Sequence, residues 1–434
     1  MVVISQLSAR EILDSRGRPT VEATCVLADG TAGVASVPSG RSTGKAEALE
    51  LRDGDPRRYR GLGCLRAAAN VNGEMAAALV GSELTDQAAL DRRLIELDGT
   101  PNKARLGANA ILAVSVAFAR AQAAASRLPL YRHFASIAGQ SLHAEASRPP
   151  QLPRLTINLF SGGKHAGAQV SIQDVLVVPL APQTIDGSLV MMYDIYQTAA
   201  EIALERYGMR LLTADEGGLA PPFPDTTAMI EAAVEAIERA GYRAGIDASL
   251  AIDVAASHFF EGGGEGGGRY HIDGRTLGPE EMIDLIVSWI ERYPIVSVED
   301  GLDEEDWRHW PLLERAVDRR ALVLGDDLLC TNPERIRRAA AADACDALLL
   351  KVNQIGTLTE AAAALRLARA ARFQVSISVR SGETEDNWAA DLAVGFQSDQ
   401  FKNGSITQSE RLAKYNRLLA IEQESGWRVR PWRA

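Results

Sequence analysis

The sequence predicts an α/β protein in which a small N-terminal α+β domain precedes a β/α barrel. Beyond about residue 153, short β-rich apolar runs alternate with stretches of helical spacing. Several of these runs stop on a charge: SLAID at Asp253, PIVSVE at Glu299, ALVLGD at Asp326 and ALLLK at Lys351. From Glu299 onward the marked positions 299, 326, 351 and 379 are separated by 27, 25 and 28 residues, the length of one strand, one helix and their loops. A doubly wound sheet fits less well, because no strand is followed by a Gly-x-Gly-x-x-Gly turn opening a helix.

Taken in order, residues 2–35 alternate in polarity around turns at Ser15-Arg16-Gly17 and Asp29-Gly30, which predicts an antiparallel meander. PSGRSTGKAEALELRDGD has the Ser/Gly/Thr character of a lid, with Arg41 and Ser42 at its middle, and an amphipathic helix is expected after it. Residues 56–137 are Ala- and Leu-rich with helical spacing. Residues 138–153 lose all periodicity and contain Pro149 and Pro150, so the domains are expected at 1–137 and 138–434. Strands are expected at 176–178, 249–252, 295–298, 322–324, 348–350 and 375–378. EGGGEGGGRY lacks phosphate-loop spacing and reads as a flexible hairpin tip, and the tail SGWRVRPWRA reads as terminal packing against the barrel.

The net charge of −11 argues against nucleic acid or an anionic membrane as partner, and an anionic substrate would need locally gathered cations. Cys25, Cys64, Cys330 and Cys345 show no metal or redox spacing, so reduced core thiols and a cytoplasmic setting are expected. The N-terminus has no basic head before an apolar stretch, and the apolar run 106–119 falls short of the ~20 residues a membrane helix needs.

Asp253, Glu299 and Asp326 offer only hard oxygen donors, with no Cys or His at zinc spacing beside them, which points to Mg²⁺. One such acid would more simply cap a helix; three at successive strand ends favour a metal site. Lys351 emerges from three leucines, where desolvation and nearby cations favour the neutral amine of a general base; a snorkelling structural lysine is the alternative. Lys402 would be a second cation, and Arg380-Ser381 a phosphate clamp. Glu216, in the turn-rich ADEGGLAPP, is positioned as an acid catalyst on an irregular loop, unless it is merely an exposed loop acid.

From DSRGRPTVEA through NKARLGANAILAVS, ADEGG, DVAAS, VSVEDGLDEEDW, GDDLLCTNP, LLLKVNQIGT, RSGETED and SERLAKYN, nearly the whole chain resembles enolase. The resemblance implies an N-terminal α+β capping domain on a modified eight-stranded β/α barrel, two Mg²⁺ per active site and a homodimer, with higher homo-oligomers open. It implies Asp253, Glu299 and Asp326 as ligands of the first Mg²⁺ and Ser42 as ligand of the second. Lys351 becomes the base for the C2 proton of 2-phosphoglycerate, Lys402 the carboxylate-binding lysine, and Arg380 and Ser381 the phosphate binders. Glu216 becomes the acid that helps hydroxide leave, kept protonated by a neighbouring carboxylate, and His165 in SGGKHAG the histidine of an active-site loop.

Three departures lie at these positions. Val379 stands where the family's HRSGETED motif has histidine, and Asp174, beside the substrate-binding Gln173, stands where its QEF motif has glutamate. The lost methylene withdraws that carboxylate by roughly an ångström, a shift that can cost about a hundredfold in rate. Arg41 adds a guanidinium beside Ser42. The favoured expectation is therefore a diverged paralogue, resembling the carboxyphosphonoenolpyruvate synthase of phosphonate pathways, in which Arg41 holds a second phosphorus-bearing or carboxylate group. Ordinary enolase is the alternative. A binding protein with a dead site is the third reading, and the intact charged constellation speaks against it.

Overall fold

The structure, a computed structural model, describes residues 1–41, 43–142, 149–208, 212–262 and 267–432. The N-terminal meander forms β1 (Val2–Leu13), β2 (Pro19–Leu27) and β3 (Ala32–Ser36), joined by the short β4 (Glu83–Leu84) into an antiparallel sheet of order β3-β2-β1-β4. Its turns are made by Gly17 and Gly30 at φ +69° and +87°, conformations that glycine adopts without a Cβ clash. The helix Ala108–Ala125 lies across this sheet so closely that a Cβ on Gly33 would sit 2.1 Å from the Ala117 carbonyl oxygen. That helix is long and apolar enough to cross a membrane by length and composition, but most of it is buried inside the protein.

The amphipathic helix expected after the lid segment does not form: residues 43–58 run as turns and extended chain. Their backbone groups are taken crosswise instead. Ala48 N–H donates to the Gln354 carbonyl (2.8 Å), Leu49 N–H to the Asn102 carbonyl (2.8 Å) and Leu51 N–H to Asn109 Oδ1 (3.0 Å), which leaves no i to i−4 ladder.

The second half builds β5 (Arg154–Ser161), β6 (Asp174–Pro179), β7 (Ala248–Asp253), β11 (Ile295–Glu299), β12 (Leu322–Gly325), β13 (Ala347–Leu350), β14 (Gln374–Ser378) and β15 (Gln400–Lys402). They close a barrel of order β11-β12-β13-β14-β15-β5-β6-β7. Six of these strands were anticipated; β5 and β15 are additions. Every pair in the barrel is parallel except β5–β6 and β6–β7, because residues 162–173 return the chain from β5 directly into β6 as a hairpin without a crossover helix. Between β7 and β11 a small sheet of β8 (Phe260–Glu261), β9 (Arg269–Ile272) and β10 (Arg275–Leu277) projects. β8 and β9 pair antiparallel, so the glycine run links two hairpin strands, although its residues 263–266 lie outside the described residues.

The C-terminal tail packs as expected. Leu152 and Arg430 exchange main-chain bonds with the tail and the start of the barrel, and Trp432 covers two inner clusters, one of Leu322, Leu324, Ala347 and Leu349, the other of Leu176, Val178 and Ala251. One continuous apolar core runs from the N-terminal sheet into the barrel helices. Arg120 clamps Asp386 and Lys103 pairs with Glu360 at 2.9 Å across the join. All four cysteines are buried and free.

Candidate active site

The parallel strands point their C-terminal ends at one rim, and the charged run-ends arrive there together. Asp253 ends β7, Glu299 ends β11 directly beside it in register, Asp326 follows β12, Lys351 follows β13, Val379-Arg380-Ser381 follow β14, and Lys402 ends β15. β6 runs the other way, so Asp174 reaches the same rim at the start of its strand, in register with Asp253. Asp253, Asp326, Lys351, Lys402, His165, Gln173, Glu216, Arg380, Ser381, Arg41 and Val379 all line one cavity. Its free space is about 30 Å³, the charged side chains occupying much of it.

Lys402 Nζ bridges two of the acids, 2.8 Å from Asp253 Oδ2 and 2.6 Å from Glu299 Oε2. Burial disfavours the ammonium, but these carboxylates outweigh it and hold Lys402 well above its ordinary pKa. Burial raises Asp253 and the lysine overrides it, leaving Asp253 below the usual range; burial, reinforced by Asp253, pushes Glu299 well above it. Asp326 is paired with Lys351 Nζ and accepts from Gln354 Nε2 at 2.7 Å. The expectation of a neutral Lys351 is therefore corrected for this arrangement: burial favours the amine, yet Asp326 prevails and raises the pKa.

The donor set fits a hard divalent cation. Three carboxylates converge on two ammonium groups, and Glu299 Oε1 is buried with no hydrogen-bond partner among the described residues. Asp300 and Asp327, which went unremarked in the sequence, join Asp326 as acids with oxygens within 4.8 Å of one another. Burial, then Asp327 and Asp326, push Asp300 well up. Ser42 lies outside the described residues.

Across the cavity stand Glu216, His165 and Asp174. His165 Nδ1 is 3.2 Å from Asp174 Oδ2, close enough for an ion pair though not aligned for a hydrogen bond, and its Nε2 is 4.0 Å from Glu216 Oε1. Ser161 Oγ donates to Asp174 Oδ1 (2.6 Å) and Asn158 Nδ2 to Glu216 Oε2 (3.2 Å). Burial would neutralise the imidazole, but Asp174 and Glu216 raise His165, and burial raises Asp174 despite His165. Against burial, His165, Arg411 and Lys402 lower Glu216. The expectation of a proton on Glu216 is not met in this arrangement: Glu216 is lowered, while its neighbours His165 and Asp174 are both raised.

Gln173 Nε2 donates to Asp253 Oδ2 at 2.9 Å. Arg380 is fully engaged with Glu47 of the lid segment (2.9 and 3.3 Å), a partner the sequence did not suggest. Ser381 Oγ accepts from Arg16 Nη1 and from the Arg41 main-chain N–H, both at 3.0 Å. Arg41 Nη1 reaches Asp215 Oδ2 at 3.1 Å, tying the lid segment to the Glu216 loop. Val379 is buried and offers the cavity an apolar wall.

Residues 4–134 match the family model described as the enolase N-terminal domain, and residues 150–430 match that of the enolase C-terminal TIM barrel domain. The chain belongs to the enolase family. The hairpin-containing closed barrel and the capping sheet are the enolase fold, as the resemblance implied. Membership also makes this an enolase-superfamily enzyme, with acidic groups able to hold a metal at its barrel rim.

Proposed function

We propose that this enolase-family enzyme removes the C2 proton of 2-phosphoglycerate or a similar three-carbon phospho-acid, and that it is a diverged paralogue serving phosphonate natural-product biosynthesis, resembling carboxyphosphonoenolpyruvate synthase. The observation that carries this reading is one cavity lined both by the deprotonation set, Lys351, Lys402, Asp253 and Asp326, and by the two departures Val379 and Arg41.

Asp253, Glu299 and Asp326 would hold one Mg²⁺, and Ser42 belongs to the place of a second. When bound, these ions supply positive charge to the substrate carboxylate and to the electrons left by C2 deprotonation. Lys351 is the base: with the Asp326 charge drawn elsewhere, burial and the neighbouring Arg380 and Lys402 favour its neutral amine. Lys402 orients the substrate carboxylate. His165, raised by Asp174 and Glu216 and 4.0 Å from Glu216, is the proton store for a leaving group at C3. Val379 removes a polar donor from the phosphate side, and Arg41, steered by Asp215, offers paired N–H donors to a second phosphorus-bearing group.

Ordinary dehydration of 2-phosphoglycerate to phosphoenolpyruvate is the second reading, favoured by the facing Lys351 and His165–Glu216 groups. The two are separated by following phosphoenolpyruvate absorbance after mixing 2-phosphoglycerate, Mg²⁺ and enzyme. On the paralogue reading the wild type turns over slowly and Val379→His with Asp174→Glu gains activity; rapid wild-type turnover would sink it. We further take residues 1–137 and 138–434 as the two domains, the assembly as a homodimer and the setting as cytoplasmic. A gel-filtration mass of one protomer would remove the dimer.

A further inference from the structure

A second cavity, of about 390 Å³, opens at the floor of the barrel, at the strand ends remote from the rim just described. Its walls include Arg154, Arg369, Arg372, Arg430 and Trp432, and Asp399 is the one carboxylate among the residues lining it. Asp399 is already committed. It accepts from Arg369 Nη1, from Arg430 Nη1 at 3.0 Å and from the Val375 main-chain N–H at 2.8 Å.

Arg154 opens β5 and is buried, yet it forms no ion pair among the described residues. Its guanidinium donates to the main-chain carbonyls of Arg430 (2.9 Å), Pro179 (2.7 Å) and Pro182 (2.7 Å). Carbonyl dipoles orient that charge without cancelling it, and burial alone drives the guanidinium down to about 10. Arg372, exposed and held at φ +63° in the turn before β14, projects a further cation onto the same space. Tethering of the tail explains why Arg154 meets those carbonyls. It does not explain four guanidinium groups gathered around an open space with one acid between them.

Such an excess of planar, fork-like donors matches the geometry of a phosphate dianion, and the volume suits a small organic molecule. We propose that the floor cavity binds the phosphate group of a small phosphorylated metabolite through Arg154 and Arg372. This site is separate from the rim and does not depend on the reaction proposed there.

The test is isothermal calorimetry of the full-length protein with inorganic phosphate, in EDTA so that no divalent ion draws phosphate to the rim. Saturable binding that weakens with added salt is expected. Arg372→Glu reverses an exposed charge without burying anything, so the fold persists, and it should weaken binding about tenfold or more. Arg154→Gln should abolish binding. Absence of saturable phosphate binding, or an affinity unchanged by Arg372→Glu, would overturn the proposal, while 2-phosphoglycerate turnover reports separately on the rim.

Discussion

On the proposed reading Lys351 is the base for proton abstraction, and replacing it by alanine removes that amine while leaving its strand in place. Exchange of the C2 proton into deuterated water should fall by ~10²–10⁴-fold in Lys351→Ala, the usual worth of a positioned acid or base. Retention of wild-type exchange would assign the base elsewhere. Far from the rim, Asp91 is fully buried and accepts from Thr359 N–H and Oγ1 and from Gln87 Nε2. Burial lifts its carboxyl to about 6, and its hydrogen bonds only partly oppose this. A folded-state pKa above the unfolded value of ~3.9 means that the folded state holds the proton more tightly. The associated stability is present in full below pH ~4 and is lost as pH rises through about 6. Asp91→Asn should therefore stabilise the protein at pH 8, by about 3 kcal/mol at most, and lose that advantage near pH 4 in thermal melts. Asp253, Glu299, Asp326 and Lys351 were legible at this scale because each closes an apolar run. The raised pKa of His165 was not, since it arises from Asp174 across the hairpin and from Glu216 on another loop.

Elements were legible where one periodicity ruled the segment. The run ALLLK announces β13, but β15 is a three-residue strand, QFK, too short to show any period. β5 escaped notice although all eight of its residues are buried. Its sequence RLTINLFS alternates polar and apolar side chains as far as Leu159, the pattern of a half-exposed strand, yet Arg154, Thr156 and Asn158 are buried as well. The helix expected after the lid fails for a different reason: Gln354, Asn102 and Asn109 claim the backbone N–H groups of Ala48, Leu49 and Leu51. Contact between elements also sets a limit that the sequence does not display. With the Ala117 carbonyl oxygen 2.1 Å from the place of a Cβ, Gly33→Ala must push β3 away from the helix Ala108–Ala125. Overpacking of this kind costs about 1–3 kcal/mol, seen as a lowered midpoint in urea, and an unchanged midpoint would mean that the strand yields freely.

At the scale of the whole molecule, the sequence shows a loss of periodicity over residues 138–153 but not the fusion of the halves on either side of it. One apolar core spans both, and Arg120–Asp386, Lys103–Glu360 and Glu47–Arg380 cross between them. All six tryptophans lie between residues 289 and 432, so their fluorescence reports the barrel and, through Trp388 on Ser36 and Trp427 on Tyr131, its join with the capping half, while far-ultraviolet circular dichroism reports both halves. The two signals should trace one coincident thermal transition; a separate, earlier loss of helicity would show the halves unfolding independently.

The reversed β6 has a consequence for how such enzymes change. Because the chain turns back at the rim, Ser161, His165, Gln173 and Asp174 all belong to one uninterrupted stretch of fourteen residues (161–174, both ends counted), anchored at its base by the Ser161–Asp174 register. The proposed deprotonation set, Asp253, Glu299, Asp326, Lys351 and Lys402, is scattered over residues 253–402 instead. Glu216 apart, the proposed leaving-group chemistry is thus a cassette that recombination can swap in a single exchange, while the proposed deprotonation chemistry moves only with the barrel itself.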